Sequence, residues 1–230
     1  MSKYASQNFN LALQPGDTAL LFGIQASVAL AASAGGAVRT NGVVTFTTAA
    51  AHHAIPGFQF EAKGVGSVLG TRFDGHYEIL TVPSATTLTA QPLDVNLHGG
   101  NSNQINDTGG GGNLVITQAE LFQAQVPIAS IAVSMPPGRG ENPGAFSIEI
   151  FFDGAPGAFS FQMQEADLEG PGGNPNGYIT PAQAAYTIAA VNANNFAHND
   201  LIPTGGAFLR ALLNSLTNNV GIIARIRRIQ

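Results

Sequence analysis

"AFSIEIFFDGAPGAFSFQMQEAD", residues 145–167, decides the class of the fold. Phe146, Ile148 and Ile150 alternate with Ser147 and Glu149. After "FDGAPG" the alternation resumes, with Phe159, Phe161 and Met163 set against Ser160, Gln162 and Gln164. An extended strand sends successive side chains to opposite faces, so each segment is apolar on one face and polar on the other. The spacing predicts two strands joined as a hairpin by the Gly- and Pro-containing turn, one layer of a β-sandwich.

The same reading extends outward. In "NFNLALQPGDTALLF" (8–22), Phe9, Leu11 and Leu13 keep period two, "QPGD" has turn chemistry, and a second run begins at Ala19. Residues 41–92 alternate around Val44 and Phe46, then around Phe58 and Phe60, then through "RFDGHYEILTVPSATTLTAQ" (72–91). There Asp74-Gly75 and Pro83-Ser84 punctuate a hairpin. Residues 93–113, "LDVNLHGGNSNQINDTGGGGN", are poor in apolar groups and rich in Gly and Asn, as a flexible linker is. Within 114–230, Thr117–Gln123 fits one helical turn. "GGAFLRALLNSLTNNVGIIARIRRI" (205–229) fits either a helix near 206–217 or two strands around "NSLTNN", with the alternation after Ile222 favouring strands.

The expected fold is all-β: an antiparallel β-sandwich, jelly-roll or Ig-like, with a second small β unit inserted or in tandem. The expected segments are 1–38, N-terminal strands joining the main sandwich; 39–92, a small β-barrel-like unit; 93–113, a linker; and 114–230, the main sandwich.

Composition narrows function. Of 230 residues, 44% are hydrophobic but only 10% are charged, against roughly 25% in ordinary soluble proteins. A surface so poor in charge is expected to be covered by neighbours. The net charge of −5 disfavours nucleic acid as the main partner. Arg210, Arg225, Arg227 and Arg228 gather near the C-terminus, either as a basic edge for an acidic neighbour or as solvated strand ends. The absence of cysteine rules out disulfides and thiol chemistry. "MSKYASQNFN" lacks the apolar core of a signal peptide, and the apolar stretch 19–38 is broken by Gln25, Ser27, Ser33 and a Gly pair, so it reads as strands and no membrane partner is expected.

No stretch proposes catalysis, a cofactor or a metal centre. His52 and His53 are adjacent, and on a strand would face opposite sides; His76, His98 and His198 are isolated in sequence. "EADLEGPGGNPNG" (165–177) offers Asp167, Glu169, Asn174 and Asn176 as hard oxygen ligands for Ca²⁺, and Glu165 with Asp167 as a carboxylate pair, but in no compact calcium-loop spacing. "GVGSVLG" (64–70) has the wrong glycine spacing for a dinucleotide fingerprint and reads as a loop. A carbohydrate or receptor site would stack sugars on aromatics; with no Trp, Tyr178 and Tyr186 are the side chains available.

"FDGHYEILTVPSATTLTAQ" (73–91) resembles a recurrent strand–turn–strand unit of tailed-phage structural proteins. "FFDGAPGAFSFQMQEAD" and "AFLRALLNSLTNNVGIIARI" are similar in style to β-sandwich domains of phage head and tail proteins. The resemblance covers about half of the chain and rests on loose strand-and-turn patterns. It implies a non-enzymatic virion component, assembled in the host cytoplasm, that packs against copies of itself and against major capsid or tail proteins as a homo-oligomer. Capsid decoration or cementing is the favoured placement. A tail tube or head–tail connector protein is the alternative, and a host-glycan or receptor-binding sandwich the alternative from another class.

Overall fold

The computed structural model describes residues 4–5, 13, 16–93, 105–122, 126–130, 132–134, 144–166, 168–169, 175–178, 187–188, 196–204 and 207–229. Among these there is no helix, and all but one of the strand pairings are antiparallel. The protein is all-β.

The chain divides into two compact units, Met1–Gly23 with Glu120–Gln230, and Ile24–Ala119. The first opens with β1 (Tyr4–Ala5) and β2 (Thr18–Phe22). The second contains β3 (Ile24–Ala29), β4 (Ala37–Thr40), β5 (Val43–Thr47), β6 (Gln59–Lys63), β7 (Gly66–Ser67), β8 (Gly75–Ser84), β9 (Thr87–Pro92), β10 (Asp107–Gly110) and β11 (Asn113–Gln118). The chain then returns to the first unit with β12 (Glu120–Phe122), β13 (Ile128–Ala129), β14 (Val133–Ser134), β15 (Gly144–Phe152), β16 (Phe159–Ala166), β17 (Leu168–Glu169) and β18 (Pro175–Asn176). It ends with β19 (Thr187–Ile188), β20 (Phe196–Thr204), β21 (Phe208–Leu216) and β22 (Val220–Arg228).

The first unit is an antiparallel β-sandwich, built differently from the expected hairpins. β15 does not pair with β16, nor β21 with β22. β15 pairs with β22, from Phe146↔Arg228 to Phe152↔Ile222. β16 pairs with β21, from Phe159↔Leu216 to Ala166↔Phe208. Residues 144–166 and 208–228 therefore form one long antiparallel ribbon, folded over at its middle so that its halves lie in different sheets. Bonds across the fold keep the ribbon continuous: Asp153 N–H to the Gly221 carbonyl (3.1 Å), Thr217 N–H to the Ala158 carbonyl (3.0 Å) and Asn218 N–H to the Pro156 carbonyl (3.1 Å). In place of the helix alternative at 206–217 and the helical turn at 117–123, the described residues form strands Phe208–Leu216, Asn113–Gln118 and Glu120–Phe122.

One sheet runs β1-β2-β22-β15-β20, with β12 also on β22; the other runs β13-β21-β16-β19, with β14 also on β21. Their apolar faces share a core that includes Phe146, Ile148, Ile150, Ile222 and Ala224 from one sheet and Phe161, Met163, Leu209 and Leu213 from the other. Phe22 meets Phe161 edge-on at 5.8 Å, and Phe152 meets Phe159 at 4.8 Å beside the fold of the ribbon.

The second unit is a single sheet, β3-β11-β6-β8-β9-β5-β4-β10-β7. β10 and β11, near opposite ends of this order, are one segment interrupted only by Gly111 and Gly112. The sheet therefore curls round and closes on residues 107–118, with β4 and β7 flanking the first part and β3 and β6 the second. Phe46, Phe60 and Tyr77 fill the interior, with ring centroids 5.1–5.5 Å apart, and the Tyr77 hydroxyl donates to the Phe73 carbonyl (2.7 Å).

Three boundaries thus move. β3 and β4 (24–40) belong to the barrel rather than to the sandwich. The predicted linker 93–113 contains β10. The sandwich resumes at Glu120 rather than 114. The glycine run 109–112 is not a spacer: a Cβ on Gly109 would lie 2.0 Å from the Gly66 carbonyl oxygen, and one on Gly112 would lie 2.4 Å from that of Lys63. Only glycine lets the backbones approach this closely. The β8–β9 hairpin is present, but β8 runs through Pro83 to Ser84 and the turn falls on Ala85-Thr86, with register shifts absorbing the proline.

The folded ribbon is tested by cysteine pairs, since the natural chain has none. Gln164 and Arg210 are cross-strand partners, so Gln164→Cys with Arg210→Cys is expected to form a disulfide on mild oxidation. Ser147→Cys with Gln164→Cys, partners only if β15 and β16 were a hairpin, is expected not to. Gel mobility with and without reductant reads the result.

Candidate interaction surface

Arg39 on β4 and Asp107 on β10 are directly opposite each other in the barrel sheet. Both are buried, Arg39 at 1% and Asp107 at 4% exposure, and buried charges need partners. The Arg39 guanidinium lies 4.5 Å from the Phe73 ring centroid and donates to the Thr71 hydroxyl (3.3 Å) and the Arg72 carbonyl. The Thr71 hydroxyl donates onward to the Asp107 carboxylate. Asp107 also accepts from the Ser67 hydroxyl (2.5 Å) and from the Leu69 (3.1 Å) and Thr108 (2.7 Å) N–H groups. Burial pushes this carboxyl upward, but the four hydrogen bonds to its ionised form outweigh that and hold its pKa at about 2.

This cluster fastens residues 67–73 to the barrel rim and fixes what the loop displays. Val68 and Leu69, held by backbone bonds to Thr108 and Asp107, project at 60% and 66% exposure. Ile105 (48%) precedes Asn106, whose side-chain oxygen accepts the Asn41 N–H at 2.9 Å, and Val43 (38%) follows that same turn. Four of the large exposed apolar side chains thus share one rim. Beside Val68 and Leu69 lies an open cleft of about 350 Å³, lined by these two with Val38, Thr40, Asn106 and Thr108 above the buried Arg39 and Asp107. An apolar rim around a hydrogen-bonding floor suits docking against another protein surface.

Among the described residues the histidines do not assemble. His52 is fully buried; its Nδ1 accepts the Ala54 N–H (3.0 Å), leaving the proton on Nε2. Burial pushes its pKa below the ordinary value, against the opposing pull of the Thr87 and Ser84 backbone. His76 lies exposed on β8, and only the backbone of His198 on β20 is described. Among the described residues no group of three or more His, Asp or Glu side chains is placed to hold a metal ion. Glu165 lies on β16 opposite Leu209. Leu168–Glu169 pairs with Pro175–Asn176 as a two-stranded ribbon. His98, Asp167, Asn174 and Tyr186 lie outside the described residues. Gly66-Ser67 of "GVGSVLG" is β7, paired with β10.

The C-terminal arginines are divided among separate partners. Arg210 stacks 3.8 Å from the Tyr178 ring centroid and donates to the Gln164 side chain (2.8 Å). Arg225 bonds Glu149 and lies over Phe151. Arg228, buried, donates to the Leu13 carbonyl (2.8 Å), while Arg227 is exposed. A polar cleft of about 270 Å³ on this sheet face is lined by Gly16, Thr18, Ser147, Glu149, Arg225 and Arg227. Neither Arg39 nor Asp107 is prominent in the sequence; the available signal is that Arg39 keeps the inward parity of Ala37.

No known family model and no curated protein sequence matches this chain.

Asp107→Ala leaves the Thr71 and Ser67 hydroxyls and the Leu69 N–H without their acceptor, and is expected to destabilise the barrel by about 1–3 kcal/mol. The wild-type carboxyl titrates lower folded than unfolded, so its contribution is full above about pH 4 and is lost as pH falls towards 2. Thermal melts at pH 5, 3 and 2 are expected to show this acid loss, and Asp107→Asn to flatten it.

Proposed function

We propose that this chain is a non-enzymatic structural subunit of a phage virion, decorating or cementing the capsid by packing its barrel rim against neighbouring proteins. The observation that carries the reading is the rim itself. Val43, Val68, Leu69 and Ile105 are exposed at one end of the barrel, with the Val68–Leu69 loop anchored on a buried polar cluster, in a chain with only 10% charged residues. Isolated exposed apolar groups are ordinary, whereas a group held together over a rigid floor has the character of a contact surface. The sandwich supplies a solid body, and the resemblance of residues 73–91 to phage structural units gives the type of assembly.

The partner is protein rather than nucleic acid. Net charge is −5, and the C-terminal arginines are spent mostly on partners inside the sandwich. In this role the chain binds and braces, and its working energy is the surplus of apolar rim burial over the cost of ordering the contact.

Gradient sedimentation of lysates from cells producing the protein, with immunogold microscopy of the particle fractions, tests the reading. The protein is expected on particles, and Val68→Asp with Leu69→Asp is expected to release it while leaving the melting temperature within a few degrees of wild type. Wild-type protein confined to soluble monomer fractions would overturn the proposal.

A further inference from the structure

β3 (Ile24–Ala29) is an end strand of the barrel sheet and pairs, among the described residues, only with β11. Edge strands are ordinarily blunted by charge, proline, a bulge or shortness, because their free N–H and C=O groups invite another strand. β3 has none of these. It is six residues long and pairs with β11 without a register shift. No charged residue occurs between Asp17 and Arg39. Among the described residues the other long end strand, β20, carries Asp200 and Pro203, and the remaining sheet-end strands are two or three residues long. All of β3 except Ala26 and Val28 is exposed.

The direction of the free groups follows from two bonds. Leu30 N–H reaches the Gly112 carbonyl beside β11 (3.0 Å), while the Ala29 carbonyl turns the other way to accept Ala49 N–H (2.9 Å). Ala29, Ser27 and Gln25 share a parity, so Ser27 and Gln25 present their backbone groups on the open edge. Only an extended strand offers matching donors and acceptors at that spacing.

We infer that β3 pairs antiparallel with β3 of a second copy, about a two-fold axis at Ala26. This register bonds Gln25 to Ser27 of the other copy twice over, using the groups left open. It sets Ala26 against Ala26 at the close, non-hydrogen-bonded position, where a small side chain fits. It also places Ile24, 45% exposed, opposite Val28. Apolar meets apolar on one face and polar meets polar on the other, without a like-charge pair. The expectation that copies meet rests on the assembly reading; the choice of β3 rests on the strand itself.

The test uses the full chain, which lacks cysteine. Ala26→Cys is expected to give a covalent dimer on mild oxidation at micromolar concentration, because facing Cβ atoms in such a pair lie within disulfide reach. Gln91→Cys, exposed on β9, serves as the control and is expected not to. Ser27→Pro, which removes a free-edge N–H and leaves the β11 ladder intact, is expected to weaken self-association about tenfold in sedimentation velocity. If wild type self-associates but Ala26→Cys crosslinks no faster than Gln91→Cys, or Ser27→Pro changes nothing, the β3 pairing is wrong while assembly stands. If wild type stays monomeric at every concentration and never joins a particle, both fall.

Discussion

The barrel depends on a close backbone approach at residues 109–112. Here the segment 107–118 passes between β4 and β7 and then between β3 and β6, and Gly109, Gly110 and Gly112 are what allows it. A side chain at Gly110 would lie 2.6 Å from the Ser33 amide nitrogen. Were the backbones held further apart, β10 could not reach both flanking strands and the curled sheet would stay open. Asp107 would then lose the Ser67, Thr71 and Leu69 groups that neutralise its burial, and the rim loop would lose its anchor. A run that looks like a chain of least constraint is held in close backbone contact at three of its four positions.

Much of the fold was legible because alternation reports burial. Phe146 to Phe152 and Phe159 to Met163 are strands with one face in the core, as their spacing requires. What alternation does not report is the partner. In a hairpin and in a folded ribbon the same side chains face inward, so residues 145–167 fit both, and proximity in sequence favours the neighbour over β22. The ambiguity at 205–229 was resolved the same way: β21 and β22 are strands but belong to opposite sheets. The glycine run misled for a different reason. Composition cannot distinguish glycine used for freedom from glycine used for proximity.

The contact surface was less legible than the fold. The sequence suggested neighbours through low charge alone, without placing them. Arg39 and Asp107 are 68 positions apart and meet only because β4 and β10 are adjacent. Val68 and Leu69 sit in a segment read as an unremarkable loop, and nothing in a one-dimensional pattern distinguishes an apolar loop residue that tucks in from one held out. The decisive information is the hydrogen bond that fixes the Leu69 backbone to a carboxylate beneath it.

The barrel leaves the sandwich chain at Gly23 and rejoins it at Ala119, and the first and last residues of its sheet, Ile24 and Gln118, are paired with one another. Both ends of the excursion therefore arise at one spot, and each connector is a single residue long. Such a layout makes the module a graft: it can be lengthened, exchanged for another closed sheet or excised behind a short turn without altering the order in which the host sandwich threads its strands. Surface chemistry can thus diversify in one unit while the other keeps its packing.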